Sequence, residues 1–256
     1  MLEQIQEFIL FQKSTGLSQK NILKNLSKEK KREKIGWQFL QIAGSSNSIQ
    51  MAMLIFTVCF AAMLHQTAGQ DASPFSSLST SLTENQNAVV DEHNSLRRQV
   101  SPTASNMRKM RWNATIAANA QRWADTCAEA HSQRSDRQIN GLICGENLYM
   151  SSTPNSWSMA TQVWYAEDKD FVYGEGPKTE GAVTGHYTQV VWDHSYELGC
   201  AIAYCPDATY QGFYVCQYFE AGNYLNRINT PYKEGIPCGD CPDDCDYGLC
   251  TTATLA

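Results

Sequence analysis

Between residues 83 and 218 the chain alternates between two kinds of hydrophobic spacing. Val89, His93, Leu96 and Val100 recur at i, i+4, i+7 and i+11, the spacing of one helical face. Thr83-x-x-Gln86 ahead of them has the form of a capping box, so a helix is predicted from 83 to about 100, stopped by Pro102. Ile116, Ala120, Trp123 and Cys127 predict a second helix over about 114–130. Trp157, Ala160, Trp164 and Phe171 predict a third, opened by Thr153-Pro154. The runs Leu198–Cys205 and Gly212–Tyr218 read as strands joined by a turn-rich segment, hence a hairpin. Gly185–Trp192, β-branched and aromatic and almost without charge, reads as a buried strand with His186 at its mouth. Met110–Trp112 reads as a short edge segment, Ile143–Tyr149 as a strand or tight loop, and Tyr173–Pro177 as a turn.

The flanks differ from this body. Residues 1–50 are basic and lack periodicity, whereas 51–64 form an uncharged apolar run. That run is too short for a comfortable membrane span but suits a signal-peptide core, followed by small residues at Thr67-Ala68-Gly69. Residues 51–70 are therefore expected to be a signal peptide, with translation starting at Met51 and residues 1–50 a spurious or disordered extension. The alternative is a real extension with 51–64 as a short anchor. Residues 71–83, rich in Ser and Thr, are expected to be a flexible leader. Net charge is −6, but it divides unevenly: residues 1–50 hold eight Lys/Arg against four acids, and everything after Gln70 holds twelve against twenty-two. An acidic body argues against nucleic acid as a partner. The expectation is a secreted protein rather than a transmembrane one.

Nine of the ten cysteines lie after residue 120. Their density, and the run Cys238-x2-Cys-x3-Cys-x4-Cys250, point to disulfides and an oxidising compartment. A zinc knot is the alternative, weakened by interleaved Asp residues and the absence of His from the run. Asn113-Ala-Thr115 is a glycosylation sequon, but Asn113 is equally placed to cap the second helix.

The ionisable residues on these elements supply the candidate chemistry. His93 falls on a buried stripe and reads as a core histidine bonded to backbone, with a ligand role as the alternative. His131 lies one turn beyond Cys127, where a helix dipole would favour it. Glu146 interrupts an apolar stretch, and Glu167 shares the face of Trp164 and Phe171, where a carboxylate requires a partner. His131, Glu146, Glu167 and His186 could hold a divalent metal or only shape a cleft; no local signature links them.

Gly185–Trp192 and Tyr214–Tyr224 resemble the two signature motifs of the CAP superfamily (cysteine-rich secretory proteins, antigen 5, pathogenesis-related 1), and Ile236–Cys250 resembles the hinge of the cysteine-rich secretory proteins. The resemblance covers about residues 84–250. It implies an α+β fold, a three-layer α-β-α sandwich over 84–225, followed by a small disulfide-stapled hinge and tail over 226–256 with no ion-channel regulatory domain. It also implies that His131, Glu146, Glu167 and His186 form the family's cleft tetrad, with His131 and His186 able to bind Zn2+ or another divalent cation. The implied pairing is Cys127–Cys205, Cys200–Cys216, Cys238–Cys245 and Cys241–Cys250. Cys144 is left unpaired, because Phe219 stands where relatives carry its partner; a free thiol or an intermolecular bridge follows. The 127–205 loop should restrict the unfolded chain by roughly 4 kcal/mol on the entropy model. A hinge without a regulatory domain resembles the egg-jelly sperm chemoattractants of amphibians. The function so implied is a secreted, non-enzymatic signalling protein in reproduction, acting on a cell-surface receptor of sperm. A metal-dependent hydrolase using the tetrad and a sterol- or lipid-binding module are the alternatives.

Overall fold

The computed structural model describes residues 73–251. The expectations for 1–50, the signal peptide and the first residues of the leader lie outside them.

Among the described residues a four-stranded sheet is the centre of the fold. Its strands are β1 (Arg111–Trp112), β4 (Gly145–Ser151), β7 (Glu197–Tyr204) and β8 (Gly212–Phe219), in the order β1-β7-β8-β4. The expected hairpin is its core: β7 and β8 pair antiparallel from Glu197↔Phe219 to Tyr204↔Gly212. The expected edge segment is β1, parallel to β7. Short two-residue strands make small hairpins outside the sheet: β2 (Gln138–Ile139) with β3 (Leu142–Ile143), β5 (Phe171–Val172) with β6 (Gly176–Pro177), and β9 (Cys245–Asp246) with β10 (Leu249–Cys250).

Alternation along the strands builds one core on each face of the sheet. Leu198, Cys200 and Ile202 of β7, with Tyr214, Cys216 and Tyr218 of β8, turn toward α1 (Thr83–Arg97), α3 (Trp157–Tyr165) and α4 (Gly185–Val190), meeting Val89, Trp157, Trp164, Tyr187 and Val190. Ala201, Ala203, Phe213 and Val215 turn the other way, onto Ala120 and Ala124 of α2 (Ala114–Ala124). The result is the expected three-layer α-β-α sandwich. The second interface is close because Gly199 lacks a side chain: a Cβ there would lie 2.1 Å from the Ala117 nitrogen.

Several expectations need correction. Gly185–Trp192 is not a strand: α4 occupies Gly185–Val190. Tyr187, Thr188, Gln189 and Val190 are all buried, so no polar face marks it as helical, and β-branched residues mimic a strand. The capping box at Thr83 does not form. Thr83 is already helical, the N-cap Leu82 has no side-chain bond, and Gln86 Nε2 donates to the Thr80 carbonyl at 2.8 Å. This helix ends at Arg97, although Val100 is buried as its spacing implies. The third helix is capped by Ser156, whose hydroxyl accepts from Met159 N, not by Thr153-Pro154. The second ends at Ala124; Cys127, beyond it, has φ 51°, a left-handed conformation that cannot continue a helix. The described end of the leader, 73–83, is packed rather than flexible. Phe75 is buried and stacks on Tyr204, and the Thr80 hydroxyl donates to the Cys200 carbonyl at 2.7 Å.

Two features tie the layers together. Arg97, 1% exposed, donates six hydrogen bonds to the backbone carbonyls of Arg108, Val190, Trp192, Asp193 and Ser195. The tail has only a small cluster of Cys238, Cys241 and Cys250 as a core of its own. It leans on 104–109 through bridges Ala104↔Glu234 and Arg108↔Cys250, and lends Tyr232 and Leu249 to the main core.

Candidate functional site

Helix shortening decides where the first candidate histidine goes. After α2 the chain turns through Cys127 and Glu129, both with positive φ, and the Trp123 indole nitrogen donates to the Ala130 carbonyl at 2.8 Å. His131 is therefore in a loop, not at a helix C-terminus, and the dipole explanation for it falls. Its side chain is 55% exposed, with Nδ1 2.8 Å from Glu146 Oε1.

Glu146 projects from β4 and its side chain is only 1% exposed. Besides His131, it accepts from Ser132 N at 2.9 Å, Ser132 Oγ at 2.6 Å and Gln217 Nε2 at 3.0 Å, with the Arg137 guanidinium 3.6 Å away. Burial pushes its pKa up, but the bonds from His131, Ser132 and Gln217 outweigh that and hold it below the ordinary glutamate value. The carboxylate therefore stays ionised.

Glu167 lies in a 3-10 turn, Ala166–Asp170, that follows α3. The helical spacing that placed it on an inward face does not apply there, yet the carboxylate has the partners its position demanded. Glu167 accepts from His186 N at 2.9 Å, Tyr187 N at 3.1 Å and lies 2.6 Å from His186 Nδ1. It thus satisfies two of the free amides at the start of α4 while fixing the imidazole.

The structure thus assembles two His–Glu pairs, His131–Glu146 and His186–Glu167. Asn147, next to Glu146, connects the neighbourhoods: its Nδ2 donates to the His186 carbonyl at 3.1 Å. In each pair the carboxylate engages Nδ1 and leaves Nε2 without a hydrogen-bond partner among the described residues, the arrangement in which a histidine is oriented to bind a metal. Imidazole nitrogens suit zinc. Yet among the described residues no group of three or more His, Cys, Asp or Glu is placed to hold an ion. His131 and His186 could contribute at most two nitrogen donors, and water would have to complete the coordination.

Sequence reasoning missed Ser132, Gln217 and Asn147. Ser132 gave no signal beyond its adjacency to His131. Gln217 and Asn147 are polar residues in strands buried on both faces, and a buried amide needs a partner.

Among the described residues there are four disulfides: Cys127–Cys205, Cys200–Cys216, Cys238–Cys245 and Cys241–Cys250. The second joins residues that face each other across β7 and β8. Cys144 is free and 0% exposed, and burial pushes its thiol pKa up to about 12. An intermolecular bridge through it is incompatible with the folded chain. The β4–β8 register, Gly145↔Tyr218, brings Cys144 level with Phe219 one step on, and Phe219 cannot bridge to it. Asn113 is the N-cap of α2, accepting from Thr115 N and Ile116 N while donating to Glu197 Oε2 at 3.0 Å.

The family model for the cysteine-rich secretory protein family (CAP) matches residues 90–218. The chain is 54% identical over 207 residues to cysteine-rich secretory protein 3 of Equus caballus, covering 79% of this chain and 84% of that protein. The chain belongs to the cysteine-rich secretory protein family.

Solved structures agree with the fold. NaASP2 with Zn2+ is similar at TM-score 0.55 and 29% identity, covering 66% of this chain and 96% of that one. Na-ASP-1 is similar at TM-score 0.55 and 32% identity over 65% of this chain; the match spans 46% of that longer chain. The disulfides suit the oxidising compartment that the name of the family denotes. No helix among the described residues is long and apolar enough to cross a membrane.

Proposed function

We propose that this family member is secreted and acts without catalysis, as a signalling ligand for a cell-surface receptor, with sperm as the responding cell. The observation that carries the non-catalytic reading is the state of the two carboxylates. Glu146 and Glu167 each accept three or more hydrogen bonds that hold a loop or a helix start in place. A general base needs a carboxylate free to take a proton from substrate, and a hydrolase needs a nucleophile or activated water beside it. Here the carboxylates brace the fold and orient the imidazoles.

The test is a gradient assay on sperm with the purified secreted protein and its His131→Ala and His186→Ala variants. Equal attraction by all three proteins is expected. No attraction by the wild type overturns the chemoattractant reading, and a hydrolytic activity that both variants abolish overturns the non-enzymatic one.

A second reading concerns metal. The free Nε2 atoms and the solved NaASP2 with Zn2+ support a zinc ion bound by His131 and His186. In that role the ion would fix the His131 loop relative to the start of α4. Isothermal titration with zinc should show one site lost in His131→Ala; no binding at millimolar zinc dismisses it.

A further inference from the structure

At the opposite end of α4 from His186 lies a pocket of about 360 Å³, chemically distinct from the His–Glu pairs, whose lining includes Asn106, Tyr173, Asp193, His194, Arg227 and Lys233. Asp193 organises it. Its side chain is 0% exposed, and each oxygen has two partners: Oδ1 accepts from His194 N at 2.8 Å and faces His194 Nδ1 at 2.7 Å, while Oδ2 accepts from Asn106 Nδ2 at 2.6 Å and Arg227 Nη2 at 2.7 Å. The carboxylate has no further role to fill, and it fixes two cationic or donor groups around the cavity.

Those two groups keep unused capacity. Arg227 commits only Nη2 to Asp193, and its guanidinium lies over the Trp192 ring at 5.1 Å, which holds the plane of the remaining N–H groups. His194 commits Nδ1 to the carboxylate, and as the imidazolium it presents Nε2–H as a free donor; its side chain is 41% exposed. At the rim, Lys233 Nζ is 2.9 Å from both oxygens of Asp240, a solvent-exposed pair that a bound anion would compete with. Tyr173 adds an aromatic wall, fixed by donating its hydroxyl to the Tyr232 carbonyl at 2.7 Å. A planar guanidinium with free donors, an oriented imidazolium and a nearby ammonium form a recognition set for a tetrahedral or planar oxyanion. The cavity is far larger than one inorganic ion needs, so it has room for the organic group that carries the anion.

We propose that this pocket binds a small organic oxyanion, a sulfate or phosphate monoester, with Arg227 and His194 on the anion and Tyr173 against the organic part. Neither His–Glu pair takes part. The source of the ester, a sulfated sugar or a phosphorylated one, shares this chemistry and is separated by the probes.

The experiment is calorimetric titration of the secreted protein with glucose 6-sulfate, glucose 6-phosphate, inorganic sulfate and inorganic phosphate at pH 5.5. Saturable binding of at least one ester is expected, tighter than the matching inorganic ion. His194→Gln and Arg227→Gln should each weaken it at least fivefold. Asp240→Asn should tighten it by releasing Lys233, with the melting temperature unchanged. His131→Ala should leave it unaltered. Absence of saturation at 50 mM for all four probes overturns the proposal. So does binding insensitive to His194→Gln and Asp240→Asn, or binding abolished by His131→Ala, which would assign it to the other site. Because Arg227→Gln disturbs Asp193 and could impair folding, the exposed His194 and Asp240 variants carry the decision.

Discussion

Replacing Arg97 with methionine tests which interaction joins the helical layer to the sheet. The two side chains are similar in length, so the cavity term is small and the change isolates the hydrogen bonds. Two effects oppose each other. Burial of the charge is costly: it drives the Arg97 pKa down to about 9, which against the ordinary arginine value penalises the charged form by on the order of 5 kcal/mol. Methionine removes that penalty. Against it stand five carbonyls: those of Arg108, Val190 and Ser195 lose the partner that satisfies them, while those of Trp192 and Asp193 lose one of two, keeping the amides of Ser195 at 3.2 Å and Arg108 at 3.3 Å. An orphaned buried carbonyl costs about 1–3 kcal/mol and the loss of one bond of two about 0.5–1.5 kcal/mol, so three of the first kind and two of the second amount to roughly 4–12 kcal/mol before relaxation.

The carbonyl side wins, because the partners are main-chain groups. An ion pair can be exchanged whole for apolar residues at little loss, but main-chain acceptors cannot be substituted away. With partial relaxation and entry of water, Arg97→Met should lose about 3–5 kcal/mol. In a domain of this size that lowers the melting temperature by roughly 6–20 °C. Arg97→Lys, with three donors for five acceptors, should fall between. Thermal and urea unfolding followed by circular dichroism, with disulfides intact, measures both. A methionine variant within 1 kcal/mol of wild type would refute the reasoning, since it would mean that charge burial cancels the carbonyl bonds.

Two further predictions concern titration and thiol chemistry. His93 is fully buried between the Val89 carbonyl and the Tyr218 hydroxyl; burial lowers its pKa from 6.5 to about 4, the Val89 bond opposing and the Arg97 charge assisting. Between those values the unfolded chain binds the proton and the folded chain does not, so stability falls as pH drops from 6.5 to 4, by about 3 kcal/mol. Denaturant midpoints across that range should show the slope in wild type and lose most of it in His93→Gln; an equal slope in both assigns it to other groups. Cys144, buried with a thiol pKa raised to about 12, should resist iodoacetamide at pH 8 in the native state and react fully in urea. Peptide mapping of the mature secreted protein reads this out, and labelling at any of the eight paired cysteines contradicts the disulfide assignment.

How much of the fold was legible in the sequence depended on whether an element had a polar face or a turn signal bounding it. The β7–β8 hairpin, buried on both faces, is legible as two apolar runs of strand length around a turn-rich segment, whereas α1 shows its period through Val89, His93, Leu96 and Val100 because its other face is exposed. In α4 that signal is absent: it is packed against α3, the sheet and the tail-side loops, so its sequence contains composition without period. The same burial shaped the reading of the site. Glu167 was singled out for the right reason, a carboxylate in an apolar setting, but its partners include backbone amides at the start of a helix whose existence the pattern concealed. His131 was singled out on a helix that stops seven residues earlier, where Cys127 takes a left-handed backbone that no periodicity encodes. The motif resemblance reached both residues because a motif preserves the identities of residues that meet in space, whatever local conformation carries them. It does not preserve geometry. That difference is why the two His–Glu pairs were foreseeable as a set of four residues, while their bracing by Ser132, Gln217 and Asn147 became visible only in three dimensions.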